Sequence, residues 1–306
     1  MPKLFLVYAA VGTMLLPVFA CTMIGVEWGR RKLAYPGPFV STLVTSVAVP
    51  ALVFNTLATT RLENNTLFKV AVAAIVGIAV MAGLSALLLR LRGLPVRQLL
   101  PTSTFPNAGN LGLPLSQLAF GEAGLSVAVT FFAVASFLQH TAGVYIVSAS
   151  KGGNPGRGAL RSPVMFAVFL AVGLRSIGIM APLWVLETTR LLAALTVPLM
   201  LISLGYTLIT ISYGNIVNGL YVGMVRLTVG IIGGTAVVKL LELPPAIAGV
   251  TLFQMMMPVA VISYMYAERF TDHGETAAGA VLGSTVAFML LTPMALWYVG
   301  APIASN

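Results

Sequence analysis

Apolar runs long enough to cross a bilayer recur from one end of the chain to the other, and one of them is broken. A spanning helix needs roughly 20 predominantly apolar residues. Runs of that kind cover 4–26, 37–58, 67–89, 97–118, 123–149, 162–180, 188–211, 217–240, 245–267 and 275–299, which predicts ten spans. The fourth holds residues 101–117, with Pro101, Pro106 and Pro114, Gly109 and Gly112, and Asn107 and Asn110. Proline lacks a backbone N–H and clashes with the preceding turn, so this segment is not one continuous helix. At membrane depth, irregular backbone persists only where it is buried in protein or lines a wet cavity. A broken, amide-rich span therefore points to a binding site near the midplane. The plainer alternative is a loop at the membrane surface.

The chain is 58% hydrophobic and 8% charged, against about 25% charged residues in a soluble domain. The fold class is all-α polytopic membrane protein. The longest linker, residues 148–158, is short and rich in glycine (Gly152, Gly153, Gly156), so no soluble domain fits there. The net charge of +9 sits mostly in loops. It reads as a topology signal rather than nucleic-acid binding. Cys21 is the single cysteine; it excludes an internal disulfide and argues against a cysteine metal cluster, and no cofactor or metal is expected. Val18-Phe19-Ala20-Cys21 faintly resembles a lipoprotein signal. The weakly charged start and an apolar run continuing to Val26, before Arg30-Arg31-Lys32, favour a first span. There is no His-Glu-x-x-His pair and no Gly-x-Ser-x-Gly, which argues against an intramembrane enzyme.

Ten spans put both termini on one side. One face carries Arg30, Arg31, Lys32, Arg90, Arg92, Arg97, Lys151, Arg157, Arg161 and Arg269; the other carries Lys3, Arg61, Lys69, Arg175, Arg190 and Lys239. The richer face is expected in the cytoplasm, with both termini outside a cell (inner) membrane. The two halves also match. Val49-Pro50 corresponds to Val197-Pro198, Arg90 to Lys239, Leu94-Pro95 to Leu243-Pro244, and Gly121-Glu122 to Gly274-Glu275. The offsets are 148, 149, 149 and 153 residues. Five spans is an odd number, so the second copy, 156–306, is inverted relative to the first, 1–155. That is the plan of many secondary transporters. The offset carries Gly109 onto Pro258, which predicts that span nine is also broken.

Phe105-Pro106-Asn107-Ala108-Gly109-Asn110-Leu111-Gly112-Leu113-Pro114-Leu115 resembles the fourth-helix motif of the auxin efflux carrier family of permeases. Val49-Pro50-Ala51-Leu52, the stretch from Val197-Pro198 to Gly205, and Met257-Pro258-Val259-Ala260 through Phe270 are similar to its second, seventh and ninth helices. The chain departs from many members at Pro106-Asn107-Ala108. The resemblance covers nearly the whole chain. It implies a 5+5 inverted repeat of ten helices with crossing helices four and nine, and a carrier of organic anions. Plant members move auxin, and bacterial ones are associated with malate, malonate and similar acids. The short central loop resembles the bacterial members. Together with the repeat, it implies a scaffold of spans 1, 2, 6 and 7, homodimeric, against which spans 3–5 and 8–10 move in elevator fashion.

Two broken spans expose two half-helix N-termini, each equivalent to about half a positive charge. A carboxylate between them gains hydrogen bonds without a protein cation. Candidate substrate ligands are Asn107, Gly109, Asn110, Gln254, Pro258, Ser263 and Tyr264, with Asn55 and Ser203 on the facing scaffold. Pro106, Pro114 and Pro258 are the helix breakers. Each asparagine either binds ligand or merely caps backbone. The eight acidic residues fall at or near span ends. The titratable candidate at depth is therefore His140, beside Gln139: either a coupling site or a neutral histidine bonding a neighbouring helix. Arg226 either snorkels to the cytoplasmic face or attracts anions inside the cavity. The expected partners are a small organic anion and membrane lipid, with proton or sodium coupling open. Sodium symport, as in the related bile acid symporter fold, is the alternative, and a non-transporting accessory or sensor subunit is the reading from another class.

Overall fold

The computed structural model describes residues 2–148, 163–210 and 216–301. The central linker, with Lys151, Arg157 and Arg161, lies outside the described residues. Among those residues the secondary structure is helical, with one isolated antiparallel bridge and no strand. In chain order the helices are α1 (Pro2–Arg30), α2 (Gly37–Leu43), α3 (Val49–Thr59), α4 (Asn64–Leu91), α5 (Val96–Thr104), α6 (Leu113–Leu138) and α7 (Val144–Ser148). The second half contributes α8 (Pro163–Ser176), α9 (Leu183–Ala193), α10 (Thr196–Thr210), α11 (Ile216–Leu240), α12 (Pro245–Met256), α13 (Val261–Phe270) and α14 (Gly274–Tyr298). Three short π-turns interrupt the α-geometry: π1 (Val44–Ala48), π2 (Ala108–Gly112) and π3 (Gln139–Gly143).

Six helical stretches among the described residues have the length and apolar character to cross a membrane: Gly37–Thr59, Asn64–Leu91, Ala108–Ser148, Leu183–Thr210, Ile216–Leu240 and Gly274–Tyr298. The third has 41 residues; at 1.5 Å per residue it would be ~60 Å long if straight, twice the hydrocarbon thickness. It is kinked at Gly121, whose φ of 65° and ψ of −160° are open to glycine and costly to other residues. That kink divides predicted spans four and five. Predicted span seven, 188–211, instead begins at Leu183 and is interrupted between α9 and α10. Pro198 is the cause: it cannot donate to the carbonyl of Ala194, where α9 gives out.

The helices pack as two groups. In one, α1 lies along α10, and α3 packs on α8 and α9. In the other, α11 packs on α14, α4 and α12, while α6 packs on α4 and α12. In the first group backbones nearly touch: a Cβ on Gly25 would stand 2.0 Å from the Ile202 carbonyl oxygen, and one on Gly205 1.9 Å from that of Thr22. Within a bilayer lipid solvates apolar surface as well as protein does, so such close approach supplies the helix–helix attraction.

Candidate functional site

Two helices stop in the middle of the second group. α5 ends at Thr104, and Phe105 (ψ 124°) is extended. α12 ends at Met256, with Met257 and Ala260 extended (ψ 149° and 129°). Backbone groups released in an apolar interior must find partners. They find one another: Pro106 and Val259 form the isolated antiparallel bridge, the Asn107 N–H donates to Pro258 O at 2.7 Å, and Ala260 N–H to Phe105 O at 3.2 Å. The Val259 N–H donates to Ser284 Oγ of α14 at 3.0 Å, and Ser85 Oγ of α4 donates to Ser103 O at 2.9 Å.

Three further carbonyls go to Arg226 of α11, which is 0% exposed. Its Nη1 donates to Thr104 O at 2.7 Å, its Nε to Met257 O at 3.2 Å, and its Nη2 to Met255 O. Arg226 therefore neither snorkels nor reaches the cavity, because its fork is held by the C-terminal ends of α5 and α12 and by Met81 of α4. It is the residue at this junction whose role the sequence left hardest to read.

The two following helix N-termini face a cavity of about 310 Å³, within the size range of small-molecule sites. Ala108, Gly109 and Asn110 line it from π2, and Ala260, Val261 and Ile262 from the start of α13. The first N–H groups of a helix have no partner within it, so both ends present donors and positive potential here. Gln139 and His140 line it from π3, and Thr45 and Ser46 from π1. Pro163, Val164 and Met200 complete the wall from the first group, so the cavity lies between the two packed groups. Among the described residues that line it, His140 is the one titratable side chain. Its Nδ1 lies 2.7 Å from Ser136 O of the same helix, and its ring meets Tyr266 edge-on at 6.1 Å. A carbonyl only accepts, so Nδ1 carries the proton and Nε2 is left as the neutral ring's acceptor.

All three π-turns line this cavity, and two have a readable cause. Pro50 cannot donate to Ser46, nor Pro114 to Asn110, so the regular ladder is interrupted at those two lining residues. At π3, Thr141 Oγ donates to Phe137 O at 2.6 Å, and the His140 contact to Ser136 likewise competes with the ladder. Thr45, Ser46, Ser136 and Met200 were missed in the sequence; a proline four residues after Ser46 was the available signal.

Of the expected ligands, Asn107, Gly109, Asn110, Gln139 and His140 meet at the cavity, with Pro106 beside them. Asn107 is 4% exposed and its amide nitrogen has no partner. Others lie elsewhere. Gln254 is buried behind π2, donating to Ser116 Oγ at 2.9 Å. Ser263 stands behind Gln139, accepting from its amide at 3.0 Å. Tyr264 packs against the apolar cluster that contains Leu89, Leu99 and Val222. Pro258 serves through its carbonyl. Asn55 is far along α3 and donates to Leu186 O at 2.8 Å and Thr189 Oγ1 at 3.0 Å of α9. Ser203 bonds Tyr35 at 2.5 Å. Five residues past a proline is more than one helical turn from the level of the cavity, and both polar groups are committed to scaffold packing. Pro114 does not end a helix: the chain runs through it from π2 into α6, and the π-turn accommodates its missing N–H.

A family described as membrane transport protein, the auxin efflux carrier family, matches the chain twice, over residues 13–155 and 155–298. The chain belongs to that family. This auxin efflux carrier family member is thus a multi-pass membrane protein of a transporter family rather than an enzyme family. No curated protein matches the chain significantly.

Proposed function

We propose that the chain is a secondary transporter for a small organic anion, a mono- or dicarboxylate or an auxin-like acid, working by alternating access. One observation carries the reading: two helix N-termini open onto one cavity lined by Asn107, Asn110, Gln139 and His140, with no carboxylate among its described lining residues. Each N-terminus is equivalent to about +0.5 charge, so together they balance about one carboxylate. Among the described lining residues there is no Lys or Arg, so these bind by dipoles and amide donors, which are strong enough to hold an anion and weak enough to release it.

The architecture we infer is ten spans in two inverted repeats, 1–155 and 156–306, with spans four and nine crossing and both termini outside a cell (inner) membrane. The paired interruptions at Pro106 and Val259 and the double family match support it. An elevator motion of α4–α7 with α11–α14 against a dimeric scaffold of α1–α3 and α8–α10 is supported by the cavity lying between those groups. The test is a thermal-shift screen of the purified protein against mono- and dicarboxylates, followed by flux in proteoliposomes. Stabilisation by a carboxylate and carrier-dependent flux of the same acid are expected. Stabilisation without flux would make the chain an accessory or sensor subunit, and neither would sink the reading.

A further inference from the structure

We propose that Arg226 is a tethered cation occupying the place a coupling ion would take at the junction of α5 and α12, so that transport needs no sodium there. The inference rests on the transport reading above but is tested apart from it. In broken-helix carriers a coupling cation is held by unwound carbonyls and by the negative C-terminal ends of half-helices. Here those groups are Thr104 O, Met255 O and Met257 O, and one guanidinium takes all three. Nη1 also contacts Met81 Sδ at 3.2 Å, so the fork is enclosed on the side of α4.

A buried charge survives only when it is paired and hydrogen-bonded. The acceptors of Arg226 are main-chain carbonyls and a thioether rather than a carboxylate. Its counter-charge is the pair of C-terminal dipole ends, each about −0.5 and together about one elementary charge. The backbone is shaped for this arrangement. Gly230 lies one turn beyond Arg226 on α11, and a Cβ there would stand 2.4 Å from Met255 O and 2.8 Å from Arg226 Nη2. A sodium ion at these carbonyls would meet a fixed positive charge and three oxygens that already accept from it. Neutralising the two negative ends also leaves the two positive ends at Ala108 and Val261 as the unbalanced field in the cavity, which favours an anion entering alone.

The experiment compares thermal unfolding midpoints of the purified full-length protein in sodium chloride and in choline chloride at equal ionic strength. The wild type is expected to have the same midpoint in both. Arg226→Ser strands three carbonyls and opens the slot; its midpoint should drop in choline and recover in part in sodium. Arg226→Lys should keep part of the stability and stay indifferent to sodium. A wild type stabilised by sodium over choline would overturn the proposal. So would an Arg226→Ser protein as stable as wild type, or one destabilised equally in both salts, since a purely structural cap would behave in that last way. Should Arg226→Ser fail to fold, Arg226→Gln, which removes the charge but keeps hydrogen-bond donors in the slot, makes the same comparison with the same two outcomes. A carboxylate-induced shift of wild type, measured alongside, tests the transport reading independently.

Discussion

At the scale of single residues, Asn107 is the side chain whose environment most demands a ligand. A buried amide donor without a partner costs about 1–3 kcal/mol, and its main-chain N–H is already committed to Pro258 O. A bound carboxylate would satisfy it. Asn107→Ala and Asn110→Ala are each expected to weaken binding of the identified acid by about ten- to a hundredfold, the equivalent of losing one hydrogen bond to a charged group. Titration of the stabilising acid by thermal shift measures this, and unchanged affinity in both variants would leave the asparagines as backbone caps. His140 allows a second test, because histidine is the side chain that changes charge between about pH 5 and 8. If flux depends on pH, His140→Gln should retain binding and flatten the profile. An unaltered profile would move the proton to the substrate or to an end-of-helix acid such as Glu122 or Glu268.

At the scale of helices, the close contact of α1 and α10 is the least forgiving packing in the fold. A methyl group on Gly205 would meet main-chain Thr22, not a movable side-chain tip. Gly205→Ala must push the two helices apart, and overpacking of this kind costs about 1–3 kcal/mol or more. A fall in unfolding midpoint with the carboxylate affinity of the surviving protein intact is the expected result. Gly112→Ala is predicted to act differently. Its Cβ would stand 2.3 Å from Gln254 Oε1, displacing the amide that ties α12 to Ser116. Because π2 carries Asn110 into the cavity, this variant should lose carboxylate affinity as well as stability.

At the scale of the whole molecule, the cavity has one wall on each packed group, so substrate release requires those walls to separate or shift. Cysteines on α10 and on π2, in a Cys21→Ser background, joined by a short bifunctional reagent, are expected to abolish flux. A crosslink between α1 and α10, within one group, should leave flux intact. Undiminished transport with the groups locked together would exclude relative movement. The spanning runs, the prolines at 106 and 258 and the repeat offset were all legible in the chain, because the bilayer enforces hydrophobic length and a proline removes a donor from the helical ladder. Local chemistry of that kind needs no knowledge of neighbours. What the chain order concealed was which polar residues face each other. Asn55 and Ser203 carry the right chemistry but are spent on α9 and on Tyr35, while Thr45 and Ser46 reach the cavity because a π-turn lies where they do. Arg226 is the clearest case: an arginine within a span has several possible partners. Only packing α11 against the ends of both α5 and α12 turns it into the counter-charge of two helix dipoles.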